Sequence, residues 1–220
     1  MLIRKPTVLR IALLSGLLTA TWIQSHSTAR ADIVVDGADP TWNHTIQDWC
    51  SQHIPEPFRA RDRMQVRLYN DRQMEAYLNP TPDGSGADDR QQQHQSNNTG
   101  AASDTSDIDG VFEDSPPRVT LRMSGAAMPD MFTFAHEYGH YVWFDLFTGA
   151  DRKRYEAIYK RQRNQHHLVT AYASTDLEEG FAEAFSFFIA DPVTLTHRDA
   201  DSGRFLEAWT TSHSASSDRS

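Results

Sequence analysis

His136-Glu137-Tyr138-Gly139-His140, set inside the apolar run from Asp130 to Phe147, is the stretch on which the reading of this chain turns. Met131, Phe132, Phe134, Tyr138, Tyr141, Val142, Trp143, Phe144, Leu146 and Phe147 fall on every side of a helix drawn through it. A helix apolar all round is a buried one. Two histidines four apart share a helix face, so both imidazoles can reach one metal ion, and Glu137 sits beside the ion's open position. Two imidazoles and a carboxylate on a buried helix need compensation, because unpaired polar groups there are costly. A metal ion supplies it. The spacing predicts that Gly149 ends this helix.

Upstream and downstream segments predict the rest of an α+β chain. Trp42, Ile46 and Trp49 recur at near-helical spacing over Trp42 to His53. Met64 to Tyr69 alternates as a strand does, and Asp71 to Leu78 reads as a short helix stopped by Asn79-Pro80. Val119 to Met123 reads as a second strand, serving either as a sheet edge that pairs with an extended peptide or as a core strand. Asp151 to His167 is an exposed basic helix with Tyr155, Ile158 and Tyr159 inward. Its terminal His166-His167 pair belongs to a solvated helix end, since adjacent side chains diverge by about 100°.

Other features bound the class of protein. Arg4, Lys5 and Arg10, an apolar core from Ile11 to Ile23 and Ala29-Arg30-Ala31 make residues 1–31 a secretory signal, leaving 32–220 as a single domain. Cleavage would remove four basic residues and no acidic one, taking the net charge from −9 to −13. So acidic a body argues against nucleic-acid binding and against stable membrane association. The single cysteine, Cys50, rules out an internal disulfide framework and reads as buried and inert. From Thr81 to about Gly110 the chain is rich in Gln, Asn, Ser, Asp and Gly, which predicts a mobile polar insertion (81–110).

A second cluster, Glu178-Glu179-Gly180-Phe181-Ala182-Glu183, opens a further helix over Asp176 to Ile189. Thr175 and Glu178 have capping-box spacing, which assigns Glu178 to the helix start. Glu179 and Glu183 share a face; one of them can bind metal while the other holds a ligand histidine. The longer pattern H-E-x-x-H-x-x-G-x-x-H fails, because Trp143 and Leu146 stand where glycine and histidine are required. A glutamate from a later helix remains as third ligand.

Tyr172, Glu179 and Glu183 at their mutual spacing, after His136-Glu137-x-x-His140, resemble the gluzincin metallopeptidases of the anthrax lethal factor catalytic-domain and secreted Pro-Pro endopeptidase type. The resemblance covers Asp130 to Asp191 and is weaker over the strands upstream. It implies a zincin-like fold, a small twisted β-sheet packed against an active-site helix and a later helix carrying the glutamate ligand. It implies one Zn2+ held by His136, His140 and Glu179. Catalytic roles go to Glu137 as general base and Tyr172 as hydrogen-bond donor to the oxyanion, with Glu183 orienting a ligand histidine. The expectation is a monomeric zinc endopeptidase, secreted or periplasmic, acting on protein or peptide. The alternatives are a structural zinc centre in an exported binding protein, or a toxin-like recognition module that keeps the fold without turnover. The polar insertion departs from the family, so substrate choice does not carry over.

Overall fold

The strand expected from the alternation after Met64 is β2 (Met64–Asn70) in the computed structural model, which describes residues 33–36, 40–60, 64–80, 108–125 and 129–217. Its inward residues Met64, Val66 and Leu68 are buried. Three further strands, β1 (Ile33–Asp36), β3 (Gly110–Asp114) and β4 (Pro117–Met123), join it in the order β1-β2-β4-β3. β1 and β4 pair parallel with β2, and β3 pairs antiparallel with β4. β4 is therefore a core strand, with Val119, Thr120, Leu121 and Met123 buried, and not the sheet edge. The edge beside the helices is β3.

Seven helices accompany this sheet among the described residues, an α+β arrangement. α1 (Pro40–His53) and α2 (Asp71–Leu78) lie where the sequence places them. In α2, Asn70 accepts from the Gln73 backbone N–H while the Gln73 side chain accepts from the Asn70 N–H, a reciprocal cap. α3 (Met131–Tyr141) runs on into a π-helical turn, Val142–Leu146. Gly149 does not end this helix but opens α4 (Gly149–Gln165). Thr148 and Asp151 cap each other there, a local signal stronger than the bare glycine. α4 ends at His166, which takes a left-handed conformation (φ 57°). α5 (Leu177–Ala190), α6 (Pro192–Arg198) and α7 (Ala200–Ser217) complete the chain. None of the described helices is long and apolar enough to cross a membrane. Residues 1–31 and nearly all of the polar stretch 81–110 lie outside the described residues.

An aromatic core joins the helices. Phe58, Phe147, Phe181, Phe185 and Trp209 stack or meet edge to face, with ring centroids 4.6–5.2 Å apart in the closest pairs. Two buried hydroxyls of this region are satisfied by backbone: Tyr138 donates to the Phe58 carbonyl and Tyr155 to the Gly180 carbonyl, both at 2.9 Å. Cys50 is fully buried, and burial pushes its thiol pKa up, away from nucleophilic reactivity.

α3 and α5 meet closely enough to require glycine. A Cβ on Gly139 would lie 2.8 Å from the Ala182 Cα, a backbone atom that cannot swing aside. Gly139→Ala is therefore expected to push the helices apart and destabilise the fold by about 1–3 kcal/mol. Thermal unfolding would read this as a Tm lower by roughly 2–4 °C per kcal/mol. An unchanged Tm would show that the contact is slack.

Candidate metal centre

The α3–α5 contact sets the chemistry, because each helix brings polar groups to the same face of it. α3 starts at Asp130, whose carboxylate accepts from the Phe132 N–H and the Thr133 hydroxyl. One turn further on, the His136 and His140 rings stand 5.1 Å apart between centroids. α5 starts at Asp176, whose carboxylate accepts from the backbone N–H groups of Glu178 and Glu179. The cap is thus Asp176 and not the Thr175–Glu178 box, and Glu178 is left exposed. Two adjacent cap-forming residues made the start ambiguous; the carboxylate bound both orphan N–H groups.

With α5 so begun, Glu179 faces the histidines. Its Oε2 lies 3.0 Å from His136 Nε2 and 3.6 Å from His140 Nε2. These three donor atoms lie within 4.8 Å of one another and could hold a metal ion. Ligand atoms about 2.1 Å from a tetrahedral zinc ion stand about 3.4 Å apart, so the group fits such an ion without rearrangement of either helix. The charge balance fits as well: the Glu137, Glu179 and Glu183 carboxylates crowd two imidazoles in a mostly buried site.

Glu183, one turn after Glu179, accepts from His136 Nδ1 at 3.0 Å. A proton held on Nδ1 makes Nε2, which faces Glu179, the ring atom that binds a metal ion once its own proton has left. Burial alone would lower the His136 pKa, but hydrogen bonds to Glu179 and Glu183 and the charge of Glu137 outweigh it and raise it to about 10. Burial likewise opposes ionisation of Glu179, yet His136 and His140 hold its pKa well below the usual carboxylate range. The Glu137 carboxyl moves the other way: burial raises its pKa against the pull of His140 and His136.

Glu137 packs against β3. A Cβ on Gly110 would come 2.7 Å from Glu137 Oε1, so only glycine leaves room for the carboxylate. Two residues along, Phe112 lies parallel to His140 (centroids 6.3 Å) and to Phe144 (6.1 Å). The Arg122 N–H donates to the Asp109 carbonyl at 2.8 Å. Strand alternation then makes Val111–Thr120 and Glu113–Arg118 the hydrogen-bonded pairs, and turns the N–H and C=O of Gly110 and Phe112 outward, along an edge that no other described strand pairs.

Tyr172 stands on the opposite flank, in a short 3-10 turn, Tyr172–Ser174, with its ring 5.9 Å from that of His136. Although the residue is 54% exposed, partial burial and then the neighbouring Glu179 carboxylate raise its hydroxyl pKa, so it remains a proton donor. Tyr172 and Phe144 (41% exposed) are two of the three large hydrophobic residues exposed among those described, and they bracket the ligand group.

The structure thus brings together all six residues singled out in the sequence: His136, Glu137, His140, Tyr172, Glu179 and Glu183. Gly110, Phe112 and Thr170 join them without any motif or periodicity to mark them in the sequence. Thr170 donates to Glu183 Oε2 at 2.6 Å and accepts from the Ala173 N–H at 3.0 Å. His166 and His167 are exposed at the far end of α4, as a solvated helix end requires. No protein-family model and no curated protein matches this chain.

Proposed function

We propose that this chain is an exported zinc-dependent endopeptidase of the gluzincin type, with a zincin-like fold. The observation that carries the reading is the placing of Glu137 beside a two-histidine, one-glutamate group in which, among the described residues, no fourth protein ligand is present. Structural zinc sites close all four positions with side chains, whereas catalytic sites keep one for water or substrate. A purely structural centre would also give no reason for a buried carboxylate next to the ligands. That weighs against the recognition-module alternatives.

His136 and His140 from α3 and Glu179 from α5 would hold the ion. Zinc bound there supplies Lewis acidity, polarising a carbonyl and bringing water towards a pKa of about 7. Glu137 accepts the proton of the attacking water and then delivers it to the leaving amine. A pKa raised by burial suits both steps, since the carboxylate takes a proton more readily and the acid can still release it. The Tyr172 hydroxyl donates a hydrogen bond to the substrate carbonyl oxygen as negative charge grows on it. Glu183 keeps the His136 ring in place. An extended peptide can align along the outward N–H and C=O groups of Gly110 and Phe112, which no described strand pairs, next to Glu137.

Digestion of a peptide library with and without a zinc chelator tests the reading. Cleavage that stops on chelation and returns with added zinc supports it; cleavage indifferent to the chelator removes it. Within this scheme Tyr172→Phe keeps the ring and removes only the donor. It is expected to lower kcat by about 10²–10³ with little change in KM. An unaltered kcat would reduce Tyr172 to a flanking aromatic.

A further inference from the structure

Glu183 orients His136, but a carboxylate on a single helix can rotate about its own side-chain bonds. What stops it is Thr170, in the segment between α4 and α5. One Glu183 oxygen, Oε1, accepts from His136 Nδ1, and the other, Oε2, accepts from the Thr170 hydroxyl at 2.6 Å. Both ends of the carboxylate are therefore fixed. The Thr170 hydroxyl is fixed in turn, because its oxygen accepts the Ala173 N–H at 3.0 Å. That bond closes the chain over the turn Tyr172–Ser174, which carries Tyr172. One hydroxyl thus tethers two parts of the site that lie on separate segments: the carboxylate behind a histidine ligand, and the turn bearing the exposed tyrosine.

We propose that Thr170 is a positioning residue of the metal centre, holding Glu183 so that His136 presents Nε2 to the ion, and holding the turn that presents Tyr172. It touches neither metal nor substrate and acts only through Glu183 and the turn. Outer partners of ligand histidines change metal affinity by about 10–100-fold when removed. The inference rests on the metallopeptidase reading for its biological meaning, while its first readout, metal affinity, does not require turnover.

The test uses the full-length chain and zinc, with a chromophoric chelator as competitor. Thr170→Val keeps the branched shape and loses the hydroxyl; it is expected to weaken zinc binding by about 10-fold or more. Thr170→Ser restores the hydroxyl and is expected to bring affinity back to within about threefold of the wild type, well short of that outer-partner range. Because the effect travels through Glu183, Thr170→Val added to Glu183→Gln is expected to weaken binding no further than Glu183→Gln alone. At saturating zinc, Thr170→Val is expected to retain a kcat deficit at near-normal KM, from the loosened Tyr172 turn. Thr170→Ala serves in the same cycle should the valine variant fold poorly. Equal zinc affinity in wild type and Thr170→Val, full additivity with Glu183→Gln, or failure of serine to restore affinity would overturn the proposal. A wild-type chain that takes up no zinc would instead overturn the metallopeptidase reading beneath it.

Discussion

Glu137→Gln is expected to bind zinc as the wild type does and to lose proteolysis, with kcat lower by about 10²–10⁴. The two amino acids have the same shape, so the tight fit against Gly110 is kept and the helix pair is undisturbed. Only the ability to take and return a proton disappears. Glu137 is not one of the three grouped ligand atoms, so the zinc affinity measured by chelator competition should be unchanged or somewhat reduced, by loss of one nearby negative charge. Removing a buried ionisable group also removes its desolvation penalty, so the metal-free variant should be no less stable than the wild type. Full activity in this variant would remove Glu137 from the mechanism. Lost activity accompanied by lost zinc would make it a ligand in place of a base.

Glu179→Ala should act on the opposite quantity. Among the described residues Glu179 is the one side chain within ion-pair distance of both histidines, at 3.0 and 3.6 Å, and it would supply the negative ligand. Its loss is expected to weaken zinc binding by more than the roughly 100-fold upper range of outer-partner substitutions, and to abolish cleavage at ordinary zinc concentrations. In the metal-free protein the same change strips His136 of one of the three carboxylates that raise its pKa to about 10. Isothermal titration with zinc reads the first effect. Affinity within about threefold of the wild type, far short of even the outer-partner range, would mean that the ion sits elsewhere.

The residues most readable in the sequence were those with local causes. α2 matches its expected limits because Asn70 and Gln73 fix its start and Asn79-Pro80 its stop. The face shared by Glu179 and Glu183 follows from helical spacing alone, and the structure resolves the pair: Glu179 between both Nε2 atoms, Glu183 on Nδ1. What could not be read depends on distant partners. β3 is five residues adjoining the polar stretch, and only its pairing with β4 makes it a strand. For that reason Val119 to Met123 could be taken as an edge before β3 was known to flank it. β1 has only four residues, too few for alternation to declare itself. Thr170 sits outside any helix or strand, with no periodicity to mark it, and its role exists only because α5 returns Glu183 to it. Gly149 and the Thr175–Glu178 pair failed for a different reason. Each had a competing cap one residue away, Thr148 in one case and Asp176 in the other, and the better hydrogen-bond acceptor prevailed.

A zinc-edge anomalous difference map from crystals of the zinc-loaded protein goes straight to the claim on which the rest depends. The expected map has one strong peak per chain within about 2.0–2.2 Å of His136 Nε2, His140 Nε2 and a Glu179 oxygen, with the fourth position held by solvent. A peak remote from these atoms, or a fourth protein side chain bonded to the ion, would contradict the account.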